Sequence, residues 1–331
     1  MTSSTTVGTI ETSLTLEQAG LSISPVAFGC ASLLRLPSAR ERAGLIAAAI
    51  DAGVTHFDVA RMYGLGAAEG ELGRALRGRR EQLTVATKFG IDASGGLARL
   101  GRLQAPARAL LAKSSKVRSA VRSRRDAFAT PRSYDAGRAR VSLDRSLLEL
   151  GLDHVEILFL HDPRPHDEVD GAALVAFLED ARSAGKIRAW GVSLDAASGL
   201  EVLPRLPGRG VLQLRYDVLA PTPDARPAIA FGVMSAHAAI GAWLRDDPSR
   251  RQEWTAALGA DPLDGDQLAS LLVAEALRRP GVKSVLYATT QPARLAVPRR
   301  TLQSPLPAGQ VDTFAGLIAA ARSQVRLRSD R

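Results

Sequence analysis

The chain has 331 residues, of which 46% are hydrophobic and 23% charged, a balance typical of a globular protein with a large core. No stretch approaches the roughly 20 continuous apolar residues of a membrane helix, and Cys30 is the only cysteine, which excludes an internal disulfide and a cysteine-rich zinc site. The sequence that follows Met1 lacks a basic segment leading into an apolar run, so we expect a cytoplasmic protein with no secretory signal and no membrane partner.

The net charge of +9 is concentrated in one segment. Residues 92–133 contain ten basic and two acidic residues, so this insert carries +8 and the rest of the chain carries +9 minus +8, or +1. A solvated, mobile segment is the usual interpretation of such a block, and a lid or a contact for an anionic substrate is the alternative. Because the charge is local and few aromatic residues accompany it, we expect no nucleic-acid partner.

Short apolar runs that predict β-strands alternate along the chain with amphipathic stretches that predict helices. Several runs are continuous and rich in Val, Ile, Leu or Phe, as in parallel strands buried on both faces. The predicted strands are 25–30, 56–60, 83–90, 155–161, 187–194, 211–218, 231–236 and 284–290. The predicted helices are 40–52, 67–78, 135–150, 168–185, 196–206 and 267–279. The proline-rich residues 219–266 are predicted to be irregular, with only a faint sixth helix.

This alternation of about eight strands with about eight helices predicts a (β/α)8 barrel. A doubly wound sheet, the competing α/β fold, usually carries a G-x-G-x-x-G turn after its first strand, whereas the first strand here leads into "FGCASLLR" with a single glycine. No internal linker divides the chain. We therefore predict one barrel domain over residues 1–331, with the basic insert at about 92–133 after the third strand.

Four polar residues fall at or just beyond the carboxyl ends of predicted strands, where barrels of this type carry their active sites. They are Asp58, Tyr63, Lys88 and His161. A lysine cation beside a tyrosine favours the phenolate and lowers its pKa, and a carboxylate beside that lysine keeps the ammonium charged and fixed. A histidine can orient a carbonyl oxygen through a hydrogen bond. The set predicts an acid/base group for interconverting a carbonyl and an alcohol, with the hydride supplied by a cofactor.

Each member of this set also has a structural interpretation. An aspartate after a strand often caps a helix, a tyrosine there packs at the rim, a lysine can be a solvated strand end, and a histidine can be a turn residue. The occurrence of all four at strand ends favours catalysis. The remaining histidines show no metal-ligand spacing, so no metal site is predicted.

The stretch "GVTHFDVARMYGLGAAEGELGRAL" at 53–76 resembles the signature of the aldo-keto reductase family, in which G-x-x-x-F-D-T-A leads to Y-G and then to E-x-x-L-G. "TKFG" at 87–90 is similar to the lysine strand of that family. "SLLELGLDHVEILFLHDP" at 146–163 resembles its S-L-x-x-L-G-x-D-x-x-D-x-x-x-x-H segment, with Glu156 in place of the second aspartate. The resemblance implies a (β/α)8 fold, a nicotinamide cofactor and a small carbonyl substrate.

The resemblance also implies a role for each matching residue. Tyr63 is implied as the general acid/base, Lys88 as the neighbour that lowers its pKa, and Asp58 as the partner of the lysine. His161 is implied as the residue that orients the carbonyl. The implied cofactor-binding residues are Ser193, Gln213, Thr289, Thr290 and Arg294. NADP(H) is the favoured cofactor and NAD(H) the alternative.

The chain departs from the family pattern at several cofactor positions. Leu194 replaces an asparagine, Ala236 stands where an aromatic residue often stacks on the nicotinamide, Ala288 replaces a basic residue, and Val297-Pro298 replaces an E-N pair. These departures leave open a second interpretation, a nicotinamide-binding regulatory or scaffold barrel with little turnover. The length of the basic insert is similar to a loop of the bacterial subgroup related to aldose and pyridoxal dehydrogenases.

Overall fold

The computed structural model describes residues 13–64, 66–91, 132–208 and 210–329, and its β-strands all run parallel in one sheet. The strands are β1 (Ser13–Leu14), β2 (Val26–Gly29), β3 (His56–Asp58), β4 (Thr84–Phe89), β5 (Val155–His161), β6 (Ile187–Leu194), β7 (Gly210–Arg215), β8 (Ile229–Phe231) and β9 (Ser284–Tyr287). Strands β2 to β8 pair in chain order, and β9 pairs with both β8 and β2. The sheet therefore closes into an eight-stranded barrel, which confirms the predicted (β/α)8 fold.

Helices surround this barrel. They are α1 (Ala39–Asp51), α2 (Ala67–Ala75), α3 (Ala136–Leu150), α4 (Gly171–Ser183), α5 (His237–Asp246), α6 (Pro248–Leu258), α7 (Gln267–Leu277), α8 (Ala296–Gln303) and α9 (Ala308–Ser329). Local sequence explains several of their ends. Ser38 and Glu41 form a reciprocal capping box at the start of α1, and Gly151 ends α3 in the left-handed conformation. In the described part of the chain, no helix combines the length and hydrophobicity that a bilayer crossing requires.

The predicted strand 231–236 is wrong. The strand ends at Phe231, Gly232 turns the backbone with a φ of +75°, and Val233–Ala236 forms a 3-10 helix. The apolar run continues past the glycine because those side chains pack in the core between barrel and helices, a pattern that a buried strand and a buried helical turn share.

The prediction of irregular structure over 219–266 is also wrong in its second half, where α5 and α6 lie. The boundary between these helices has clear local signals, since the Asp247 side chain accepts a hydrogen bond from the amide of Arg250 and Pro248 occupies the first helical position. The crossover from β7 to β8, at residues 216–228, has no helix, which agrees with the weak helical pattern that the sequence shows after its sixth predicted strand. The predicted helix 196–206 is a 3-10 helix, Ala197–Arg205, which contains Pro204.

The amino end of the barrel is filled by residues 13–21. Strand β1 pairs with the first residues of β7, and Leu16 and Leu21 are buried against inward-facing residues such as Ile157 and Phe159. The carboxyl ends of the strands, at the opposite mouth, therefore remain the face available for a site.

The basic insert enters and leaves the barrel at this open mouth. Residues 92–131 lie outside the described residues, but Ile91 and Arg132 form an antiparallel bridge, and the amide of Ser133 donates to the carbonyl of Gly90 at 2.9 Å. Both ends of the insert are thus fixed beside the carboxyl end of β4.

Candidate active site

The residues predicted from strand ends meet at the carboxyl mouth of the barrel. Asp58 is the last residue of β3, Lys88 lies one residue before the end of β4, and His161 ends β5. The parallel register aligns His161 with Ser193 of β6, and Ser193 with Gln213 of β7. Because the strands share one direction and closely matched ends, residues up to 155 positions apart in sequence come into contact.

Asp58 and Lys88 form a buried ion pair, with 2% and 3% of their respective surfaces exposed. The Lys88 ammonium also donates to the carbonyl of Val59 at 3.2 Å. Burial by itself would lower the pKa of Lys88, but the Asp58 carboxylate outweighs it, so the pKa of Lys88 lies above its ordinary value. The lysine is therefore a fixed cation at neutral pH.

Tyr63 lies in the turn after β3, next to this cation. Its ring centroid is 5.5 Å from the Lys88 ammonium, and its amide donates to the carbonyl of Ala60 at 2.9 Å. Burial raises the pKa of the Tyr63 hydroxyl, Lys88 lowers it, and the net pKa is above the ordinary value. The lysine acts in the expected direction, but burial is the larger effect, so Tyr63 is a protonated phenol at neutral pH.

His161 lies edge-on against Tyr63, with ring centroids 6.0 Å apart and the ring planes at 89°. Burial and the cations Lys88 and Arg132 hold the pKa of His161 well below its ordinary value, so its imidazole is neutral. Its Nδ1 is buried and makes no hydrogen bond within the described residues. This leaves Nε2 as the position for a proton that could be donated at the mouth.

Ser193 and Gln213 are both buried and join the ion pair through hydrogen bonds. The Ser193 hydroxyl donates to Gln213 Oε1 at 2.5 Å, and Gln213 Nε2 donates to Asp58 Oδ2 at 3.0 Å, while Lys88 contacts Asp58 Oδ1. Both carboxylate oxygens of Asp58 therefore have a donor. This network also fixes the orientation of the Gln213 amide, with its NH2 toward Asp58.

The other predicted cofactor residues lie beyond β9. Thr289 is buried, and its hydroxyl accepts from the amide of Gln291 at 3.0 Å, whereas Thr290 is half-buried. Arg294 is exposed on the short 3-10 helix Pro292–Leu295, near the start of α5, where its charge helps to lower the pKa of His237. Among the described residues, no hydrogen bond or ion pair joins Thr289, Thr290 or Arg294 to Asp58 or Lys88, so the predicted site residues form two separate groups.

Ala288, one of the positions that depart from the family pattern, is exposed, whereas the other departing positions are apolar and buried. Leu194, Ala236 and Val297 are each at most 1% exposed and belong to the core between barrel and helices. Leu194 packs toward Gly199, where an added Cβ would lie 2.6 Å from a methyl group of Leu194. These substitutions thus contribute to packing in this chain.

Sequence reasoning left Arg61 without a role and missed its partner. Arg61 forms an ion pair at 3.2 Å with Glu69, which is fully buried and also accepts from the Thr87 hydroxyl at 2.7 Å. This bridge ties the loop that carries Tyr63 to α2 and β4. The glutamate matches the E-x-x-L-G part of the signature, and an acidic residue on a buried helix face was the signal that could have indicated such a pair.

Glu156, which replaces an aspartate of the family pattern, has a structural role. It is buried and accepts from the amide of Val85 at 2.6 Å and from Arg80 at 2.9 and 3.0 Å. It joins the amino ends of β4 and β5, far from the mouth.

The family model described as Aldo/keto reductase family matches residues 25–227, which is more than half of the chain. The chain belongs to the aldo/keto reductase family. It is 33% identical over 180 residues to D-threo-aldose 1-dehydrogenase from a Pseudomonas species, covering 53% of this chain and 51% of that protein. It is 32% identical over 155 residues to 6-dehydroglucose reductase from Agrobacterium fabrum, covering 45% of this chain and 41% of the relative. The chain thus spans about half the length of these curated relatives.

Solved aldo-keto reductases share the fold over nearly the whole chain. The holo form of an aldo-keto reductase from Bacillus halodurans superimposes with a TM-score of 0.65 at 18% identity, covering 93% of this chain and 96% of that one. An aldo-keto reductase from Klebsiella pneumoniae in complex with NADPH gives a TM-score of 0.60 at 19% identity, covering 93% and 94%. At these identities the likeness shows the barrel fold.

Proposed function

We propose that this family member is an NAD(P)-dependent oxidoreductase that interconverts a small carbonyl compound and its alcohol. The observation that carries the proposal is the contact of Tyr63 with both the buried Asp58–Lys88 pair and the neutral His161 at the mouth. A phenol, a fixed cation and a neutral imidazole are the groups that proton transfer to a carbonyl oxygen requires.

Each residue has one task in the proposed reaction. His161 Nε2–H donates a hydrogen bond to the carbonyl oxygen and orients it toward Tyr63. Tyr63 gives its proton to that oxygen as negative charge develops there, and Lys88 stabilises the resulting phenolate. Asp58 keeps Lys88 charged and in place. In alcohol oxidation the phenolate takes the proton back.

A nicotinamide cofactor would supply or accept the hydride, and the residues fit such a group. Ser193 and Gln213 are neutral polar side chains on adjacent strands, and the second lone pair of Gln213 Oε1 and the oxygen of Ser193 can each accept a hydrogen bond from a carboxamide. Thr289, Thr290 and Arg294 would bind the adenosine phosphate end, and the exposed guanidinium suits a 2′-phosphate, which favours NADP(H) over NAD(H).

Aldoses are the substrates to test first. The relatives include proteins named for an aldose, for 6-dehydroglucose and for pyridoxal, all of them dehydrogenases or reductases. We propose a small aldehyde, ketone or aldose as the substrate class on this support, together with the polar, partly buried mouth around Tyr63 and His161.

The test measures hydride transfer from NADPH and from NADH to a panel of aldehydes, ketones and aldoses, and the reverse reaction with sugars and alcohols. Tyr63→Phe should reduce kcat about 10³-fold, as loss of a general acid does. Tyr216→Phe is the matched control, because the Tyr216 hydroxyl bonds to Glu275 outside the mouth. Equal rates in wild type and Tyr63→Phe would refute the mechanism. Cofactor binding without turnover of any compound would favour the regulatory or scaffold alternative.

A further inference from the structure

Among the described residues, no hydrogen bond fixes the orientation of the His161 ring. Its Nδ1 is buried without a hydrogen-bond partner in the described ranges, and its contact with Tyr63 is an edge-on ring contact. A histidine that orients a substrate usually has its second nitrogen bonded to a carbonyl or a carboxylate. The direction of this ring therefore depends on its packing against Tyr63 and on the main chain that carries it.

The main chain at His161 is fixed from two sides. The Tyr134 hydroxyl donates to the His161 carbonyl at 2.7 Å, and the amide of the next residue, Asp162, donates to the carbonyl of Ser193 at 2.7 Å. Asp162 has a φ of +51° and is the one non-glycine residue with a positive φ in the part of the chain that the structure describes. This conformation costs about 1 kcal/mol or more, so the surrounding contacts must stabilise it.

Those contacts come from both carboxylate oxygens of Asp162 and from its carbonyl. Asp162 Oδ1 accepts from the amide of Asp195 at 3.0 Å, and Asp162 Oδ2 accepts from Arg132 Nη2 at 3.2 Å. The other end of the same guanidinium, Nη1, donates to the Asp162 carbonyl. One arginine thus bonds both the side chain and the main chain of the strained residue.

Arg132 and Tyr134 are themselves held beside β4. Arg132 forms the bridge with Ile91, and the Tyr134 ring lies so close to Gly90 that an added Cβ there would be 2.1 Å from it. Arg132 was counted in the solvated basic block on sequence grounds. In the structure its side chain is mostly buried and paired, with 18% of its surface exposed.

We propose that Arg132, Tyr134 and Asp162 are positioning residues that direct the His161 imidazole toward the substrate carbonyl. The inference rests on the proposed function for the use made of His161, but the geometry of the three residues is independent of it. None of the three is assigned to proton or hydride transfer. Among the described residues, the charged and titratable groups near the imidazole are Lys88, Tyr63 and the Arg132–Asp162 pair, with the Tyr134 hydroxyl on the His161 carbonyl.

The test is a double-mutant cycle on kcat/KM for the best substrate of the panel. Arg132→Met and Tyr134→Phe should each lower kcat/KM about tenfold, while the affinity for the cofactor stays within twofold, because the hydrogen bonds of these side chains among the described residues do not involve Ser193 or Gln213. In a His161→Asn background the same changes should have no further effect, since they act through the ring that has been removed. Arg138→Met, at an exposed arginine on the adjoining helix α3, is the matched control and should match wild type.

A merely structural role would give a different result. Losses that add in the His161→Asn background, or single variants within twofold of wild type, would overturn the inference. Melting temperatures of all variants are measured alongside, and Arg132→Lys should recover part of the activity because it retains a cationic hydrogen-bond donor.

Absence of turnover in the wild type would count against the proposed function and not against this inference. The inference is then tested with histidine-selective ¹³C labelling, with the His161 resonance identified from its loss in His161→Asn. Arg132→Met and Tyr134→Phe should shift or broaden this resonance, and Arg138→Met should not. An unchanged resonance in both variants would overturn the inference.

Discussion

Replacement of Asp58 by asparagine removes the counter-ion of a lysine that is 3% exposed. Removing one partner of a buried ion pair leaves the other charge uncompensated and lowers the free energy of unfolding by about 3 to 5 kcal/mol. The asparagine oxygen can still accept from Gln213, but its NH2 group then faces the Lys88 ammonium, so no contact replaces the lost ion pair. We expect a loss of at least about 3 kcal/mol at pH 7.

The loss should depend on pH in a direction that follows from Lys88. In the wild type the pKa of Lys88 is raised above its unfolded value of 10.5, so the pair contributes its full stability below pH 10.5 and loses it as the pH rises through the folded pKa. Without Asp58, burial dominates and the pKa of Lys88 falls below 10.5. The unfolded state then binds the extra proton, and the deficit shrinks as the pH rises toward 10.5.

Urea unfolding followed by circular dichroism at pH 7 and pH 9.5 measures both effects. Asp144→Asn is the matched control, because Asp144 forms an exposed pair with Lys186 at 2.7 Å and should cost about 0.5 kcal/mol or less. Asp58→Asn combined with Lys88→Met should recover most of the stability, since no buried charge remains. A loss at Asp58 no larger than at Asp144, or one that grows with pH, would refute the reasoning.

Three further predictions concern separate parts of the chain. Burial lowers the pKa of His56 to about 4, so the unfolded state binds the extra proton and the free energy of unfolding should fall by about 3 kcal/mol as the pH drops from 6.5 to 4. Urea unfolding at a series of pH values should show this pH dependence in wild type and in His166→Asn but not in His56→Asn. The same pH dependence in wild type and His56→Asn would contradict the prediction. Gly90→Ala should lower the melting temperature by several degrees, because φ is +104° and the Tyr134 ring leaves no space for a Cβ, and an unchanged melting temperature would show that the ring can move away. Arg294→Ala should weaken binding of NADPH about tenfold more than binding of NADH in fluorescence titrations. Equal losses of affinity for the two cofactors would show that Arg294 does not bind the 2′-phosphate.

The fold class could be predicted from sequence because its signals are local. Apolar runs buried on both faces, helix caps such as Ser38 and terminal glycines such as Gly151 are each read within a few residues. The β8 prediction failed because an apolar run cannot distinguish a buried strand from a buried turn, and the position of Gly232 was the only local signal that separated them.

The sequence could predict that four polar residues lie close together, because parallel strands in a barrel all end at one mouth. These residues are Asp58, Tyr63, Lys88 and His161. The contacts between them could not be read in the same way. No motif specifies which oxygen of Asp58 bonds to Lys88 and which to Gln213, because this depends on the distances between the side chains. The rise in the pKa of Tyr63 likewise depends on its burial.

The sequence by itself thus determined the barrel, the family resemblance and the four polar residues at the mouth, because strand periodicity and strand ends are properties of neighbouring residues. Only the tertiary structure decided how these residues are supported. The Arg132–Asp162 contacts join residues 30 positions apart, and the Arg61–Glu69 pair is made by a loop folding back on its helix. Such hydrogen bonds depend on side-chain direction and burial, which are set once the sheet has closed.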